Sequence, residues 1–199
     1  MRCLKAGNLQ VKELFNTQNP KVLENEAVNE LTFDLNGIQG ERHAGFSKPA
    51  GPRESQFFKR GEEIKNHRQW SALSVEELND IADKMNISEL SGAWVGANLV
   101  FSGASQFSKI PPFTRLVFEN GLILVVYEEN APCHLPQPFI ENHVGKADLN
   151  FSKAGAGQRG LVGWIERAGT VKLGESCSVY VPKFYAEHLK NDWITSTIK

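Results

Sequence analysis

Three cysteines, Cys3, Cys133 and Cys177, are too few and too scattered for a disulfide framework, and none stands in a CxxC pair of the kind that holds zinc. Reduced thiols are the expectation, so a reactive one must be singled out by its surroundings. Excess charge is equally absent: 22 Lys and Arg stand against 23 Asp and Glu, a formal net charge of -1. With no global positive field, nucleic acid is not an expected partner, and any anion must be held by local arginines or main-chain amides. No apolar run approaches the roughly 20 residues of a membrane helix, and the opening MRCLKAGNLQVKEL lacks the apolar centre of a signal peptide. A cytoplasmic protein without a membrane partner is expected. Internal repeats and low-complexity segments are missing too.

What is present is 199 residues, 41% hydrophobic and 23% charged, which suits one folded domain spanning 1–199. Alternating apolar and polar residues predict strands at Leu9 to Phe15 and Glu30 to Leu35, and strand pattern resumes from Glu63 to Trp70. Ser74 to Met85 reads as a helix opened by a capping box of Ser74 and Glu77, with Val75, Leu78, Ile81 and Ala82 on one face. Asn98 to Phe101 is a short strand, and Arg115 to Glu119 with Leu122 to Tyr127 flank the hairpin signal Asn120–Gly121. Leu161 to Arg167 and Val171 to Val181 add strands, and Phe184 to Trp193 reads as a closing helix. The pattern predicts a mainly β chain of seven or eight strands closed into a barrel or sheet, with a few peripheral helices and no parallel βαβ fold. Its core is expected at about residues 28–182, followed by a C-terminal helix at 184–194.

Four groups carry candidate chemistry. The loop GIQGERHAG, Gly37 to Gly45, turns at three glycines around Glu41, Arg42 and His43, either as an anion cradle with Arg42 as a fork or as a tight turn facing water. His67, Arg68 and Gln69 form a polar cluster within a strand-like run, which an exposed edge would explain equally well. Gln158, Arg159 and Gly160 follow the glycine-rich AGAG as a flexible turn or another anion nest. Cys133 lies just past a strand end, between Pro132 and His134, in a polar loop rather than an apolar run. A thiolate there could accept a sulfur atom, ligate a soft metal or attack an electrophile; the alternative is an incidental loop cysteine. Cys3, in a terminus expected to fray, and Cys177, in a strand pattern, are read as structural, and His143 and His188 as surface or capping histidines.

Taken in order, GIQGERHAG, NHRQWSALSVEELNDIA, GANLVFSG, APCHLP and RGLVGWIERAGTVKLGESCSV resemble the MOSC family, the domain found at the C-terminus of molybdenum cofactor sulfurases. The blocks span about Asp34 to Val181. The resemblance implies a closed β-barrel-like fold and a role with the molybdenum cofactor (molybdopterin) or with abstracted sulfur. Cys133 matches the family's cysteine, as persulfide carrier or molybdenum ligand and hence the catalytic residue. Gly40, Arg42 and His43 match the first block, Arg68 the basic position before the helix, Asn98 the Asn of the usual GENL, and Arg159 with Gly160 the late RG pair; all are expected to line the cofactor pocket. Stand-alone relatives of this size resemble reductases of N-hydroxylated compounds, which implies an external electron donor, or a sulfur donor protein for the carrier alternative. A cofactor-free anion-binding barrel is the third reading. No lysine can be assigned to pyridoxal phosphate. The chain departs from the family pattern at Glu41 and Glu175, where Asp is usual, and at Ala97, where Glu is usual.

Overall fold

The computed structural model describes residues 2–17, 19 and 21–188. Seven strands close on themselves: β1 (Cys3–Asn16), β2 (Trp70–Ser74), β3 (Leu99–Ser102), β4 (Arg115–Phe118), β5 (Ile123–Glu129), β6 (Leu161–Arg167) and β7 (Ser176–Pro182). Their order is β7, β4, β5, β6, β2, β3, β1, and β1 pairs back onto β7, which removes the free edges of the sheet. The fold is the mainly β closed barrel that the strand pattern predicts.

β1 makes the closure possible by serving two neighbours. Its first half, to Gln10, pairs with β7, and Gln10 to Leu14 pairs with β3. A bulge between Val11 and Glu13 shifts the alternation, so that Leu14 turns into the barrel while Phe15 packs outside it. Cys3 is correspondingly no frayed end: it pairs with Pro182, and Arg115 Nη1 lies 3.8 Å from its sulfur. The barrel core thus includes residues N-terminal to the expected start at 28.

Two apolar layers follow from the sequence of β2 and β3. Ala72, Leu99 and Phe101 point into the barrel, while Leu73 and Val100 point out against helix α1 (Val75–Met85). Burial on both faces explains why these strands read as apolar runs. β2, α1 and β3 form a parallel crossover, the one departure from antiparallel pairing among the described barrel strands. A βαβ unit therefore exists inside a barrel whose sequence argued against a parallel fold.

Ser74 caps α1 by accepting from Glu77 N at 3.2 Å, but the Glu77 carboxylate does not return to complete the predicted box. The predicted strand from Glu63 to Trp70 breaks: Glu63–Lys65 pairs with Ser47–Pro49 as a separate hairpin, and 66–69 is irregular up to β2. Val171 to Val181 also divides, into Gly169–Lys172 and β7; the former joins Glu30–Asp34 and Gly37–Ile38 in a three-stranded sheet. Helix α2 (Gln137–Val144) carries His143, which stacks on Trp94, and α3 (Phe151–Ala154) is a short helix the periodicity does not reveal. Helix α4 (Lys183–His188) occupies the start of the predicted closing helix, whose remainder lies outside the described residues. No helix among the described residues is long and apolar enough to cross a membrane.

Candidate functional site

A barrel of seven strands is filled by its own side chains, so room for a ligand must lie outside its axis. It lies beside β2 and β6, in a cavity of about 570 Å³. The walls are the start of β2 (Trp70, Ser71), the residues before β3 (Gly96, Asn98), those after β5 (Asn130, Ala131, Cys133) and Arg159 before β6. A lobe running from Arg42 to Glu54 covers them. Arg42, His43, Arg68, Asn98, Cys133 and Arg159, six positions singled out in the sequence, thus border one space. Gly40 and Gly160 support it without lining it.

The geometry gives these residues unequal parts. Arg42 is not a free fork: its guanidinium donates to the carbonyls of Val22 and, at 3.0 Å, Leu23. It is a clasp, and its neighbour Glu41, with a side chain only 2% exposed, braces the same loop by accepting from His43 N and lying 3.0 Å from His43 Nδ1. The His43 ring is 61% exposed at the rim. Gly40 adopts a φ of +74°, which provides one of the sharp turns expected of this segment.

Arg68 and Arg159 face the cavity differently. Arg68 donates to Glu128 Oε1 at 2.7 Å and to Asn130 Oδ1 at 2.8 Å, which holds the group in place and leaves further N–H hydrogens for a ligand. Arg159 is buried; one terminal nitrogen donates to the Val95 carbonyl, and the other, Nη1, is sealed from solvent with no partner among the described residues. Asn98 is in the same condition: Oδ1 accepts from Ser71 N at 3.0 Å, while Nδ2 is buried without a partner. Two orphaned donors in the wall of one cavity are an energetic liability that a bound acceptor would relieve.

The field is positive. Burial pulls the Arg159 guanidinium down to about 10; the nearby Cys133 acts to raise it, and Arg68 and Arg53 act to lower it. Arg68 is held below the usual arginine range first by burial and then by Arg53, against the pull of Glu128. Cys133 is part-exposed in this setting, on the loop just after β5. Cys177, by contrast, is sealed in the barrel, where burial pushes its thiol up to about 12. No group of three or more His, Cys, Asp or Glu side chains among the described residues is arranged to hold a metal.

Sequence reasoning missed several wall residues. Arg53, whose Nη2 reaches the Ala131 carbonyl at 3.3 Å, lies in a stretch that reads only as loop; its Gly-Pro-Arg setting was the available signal. Asn66 ties the first block to the second by donating to His43 O at 2.9 Å and Gly45 O at 3.1 Å. The other clustered residues turn elsewhere. His67 packs on Tyr127 and Trp164, Gln69 is buried and bridges Leu35 O to Ile165 N, and Gln158 bonds Asp80 of α1.

Comparison with known proteins bears on this arrangement. The curated relative YuaD of Bacillus subtilis (strain 168), whose name assigns it to metal-sulfur cluster biosynthesis, is 37% identical over 156 residues, 77% of this chain and 81% of its own length. The crystal structure of YuaD superposes with a TM-score of 0.84 at 32% identity, covering 91% of this chain and all of that one. YiiM of Geobacillus stearothermophilus, at TM-score 0.58 and 11% identity over 86% of this chain and 74% of its own, shares the fold. The sequence model of the MOSC domain matches residues 59–178, a stretch that contains Arg68, Asn98, Cys133, Arg159 and Gly160 and begins after the Gly37–Gly45 loop. On a match over more than half its length, the chain belongs to the MOSC domain family.

Proposed function

We propose that this chain binds the molybdenum cofactor in the cavity beside β2 and β6, with the Cys133 thiolate as the protein's ligand to the metal. The observation that carries the reading is the pair of buried, unpartnered donors, Asn98 Nδ2 and Arg159 Nη1, in the wall of a positive cavity that also exposes a thiol. A phosphate-bearing pterin supplies acceptor atoms for both donors and for the spare N–H groups of Arg68 and Arg53. A soft thiolate suits molybdenum and sulfur alike. Arg42 and Glu41 would act chiefly by holding the lobe that covers the ligand, with Arg42 at the cavity's border. When bound, the cofactor would supply two-electron redox chemistry, and the chain would orient it, screen it from water and keep the thiolate charge beside guanidinium groups.

On this reading the protein is a reductase of N-hydroxylated compounds that draws electrons from a separate donor. The name of the relative YuaD favours a second reading, in which Cys133 carries a persulfide between proteins without turnover of its own. One preparation distinguishes them. The chain purified from a host that makes the cofactor is expected to hold close to one molybdenum per chain and to reduce an N-hydroxylated base, and Cys133→Ser to lose both. A metal-free, inactive protein with a persulfide on Cys133 by mass spectrometry would overturn the first reading in favour of the second. Equal anion binding by wild type and Cys133→Ser, with neither metal nor persulfide, would leave only the cofactor-free barrel.

A further inference from the structure

Behind the cavity lies a carboxylate that this function leaves unused. Glu77 of α1 is 1% exposed. Its Oε1 accepts from Ser108 N at 2.8 Å and its Oε2 from Ser108 Oγ at 2.8 Å. Ser108 Oγ in turn accepts from Gly160 N at 2.7 Å, and the Gly160 carbonyl accepts from Asn130 N at 2.8 Å. Gly160 follows Arg159, and Asn130 Oδ1 holds Arg68. Hydrogen bonds relayed through the Gly160 backbone and through Asn130 therefore link Glu77 to the turn that presents Arg159 and on to Arg68.

The serine makes this chain sensitive to a proton. A hydroxyl has one hydrogen and two lone pairs; here the hydrogen goes to Glu77 and a lone pair receives the Gly160 amide. Ionised Glu77 only accepts, which fixes that direction. Protonated Glu77 can present a hydrogen to the Ser108 oxygen, whose own hydrogen then turns to its remaining direction; the oxygen, no longer donating to an anion, is a weaker acceptor and holds the Gly160 amide less firmly. Resting on the reading of the cavity as an anion site, we propose that Glu77 is a positioning residue: through Ser108 it holds Arg159 and, by way of Asn130, Arg68 ready for an anion, and anion affinity follows its ionisation.

Burial pushes Glu77 up to about 7, against the two bonds from Ser108 that act to lower it. Of the surrounding charges, Glu129 at the end of β5 raises it and Lys109 lowers it. β2 and β3, packed against α1, carry no charged side chain, and Lys153 of α3 lines a separate cavity with Lys84. A neutral side chain of the same shape would fill this position without the desolvation of a charge. The carboxylate therefore stands at a penalty to the fold, as expected of a group that serves the site.

The test uses the full chain and sulfate, an oxyanion whose charge is constant over the range. Amide exchange by NMR follows the Asn130 and Gly160 protection factors, and calorimetry follows sulfate affinity. In wild type both are expected to fall about tenfold from about pH 8 to about pH 5.5 along one inflection. Glu77→Gln is expected to keep both at the low-pH level throughout, Ser108→Ala to do the same with the carboxylate intact, and Glu77→Asp to restore an inflection. Glu77→Gln profiles that track wild type at every pH overturn the proposal, as does sulfate affinity that varies with pH identically in all variants. Protection that follows Glu77 in a chain that binds no sulfate at any pH keeps the positioning role and removes the anion reading of the cavity instead.

Discussion

Gly160 has a φ of +81°, and a Cβ there would collide with the Ala72 carbonyl oxygen of β2. Gly160→Ala adds left-handed strain to a backbone clash and is expected to lower stability by about 3 kcal/mol, seen as a lower denaturant midpoint at unchanged slope. A midpoint like that of wild type would mean that β2 yields at this contact. Glu77 gives a second expectation at this scale, with the opposite sign. Its ordinary value is 4.5 and burial raises it to about 7, so between those values the folded chain keeps a proton that the unfolded chain has released. The stability this proton contributes is full below the lower value and is lost as pH rises through the upper one. Glu77→Gln is therefore expected to be more stable than wild type at about pH 8, by up to roughly 3 kcal/mol, with the difference shrinking toward pH 4.5. Melting curves of both proteins across this range measure it, and parallel curves would show that the buried proton is not taken up.

At the scale of elements, α1 joins the two halves of the parallel crossover, and its N-terminal turn is held by Ser74 Oγ. Ser74→Ala is expected to lower stability by about 1 kcal/mol in chemical denaturation while leaving the cavity's anion affinity unchanged. An unchanged midpoint would assign the turn to packing of Leu78 and Ile81 alone. The same helix shows what the sequence can and cannot disclose. Its apolar spacing and cap are local, as are the Asn120–Gly121 turn and the exit of Cys133 from β5, and all three were legible. So was the convergence of Arg68, Asn98, Cys133 and Arg159, through the family pattern rather than through spacing. What was not legible depends on partners far along the chain. Arg42 donates to Val22 and Leu23, Arg53 reaches Ala131, and Glu77 leaves its own cap for Ser108. No local rule predicts such choices, because several acceptors compete for each donor and tertiary placement decides among them. The parallel pairing of β2 with β3 escaped for the same reason: a helix between two strands fixes their direction only once the sheet that receives both is known.

For the whole molecule, closure rests on β1. Removing residues 2–9 would leave β7 joined to β1 only at Gln10 and Ser176, with β4 as its one full neighbour, and open most of one seam of the barrel. The shortened chain is expected to lose its cooperative thermal transition, lose near-ultraviolet dichroism and bind a hydrophobic dye, as a compact state without fixed packing does. A sharp transition in that variant would show that the remaining six strands stand by themselves. Because Cys3 is matched to Pro182, the seam cannot be made until nearly all of the described sequence has left the ribosome. Contacts of such long sequence separation form slowly, and the wall that gathers the arginines and the loop thiol itself waits for Arg159 and β6, late in the chain. The pocket thus takes shape only once most of the barrel has been translated, and a supplier of its occupant meets a nearly finished vessel rather than an early nascent chain.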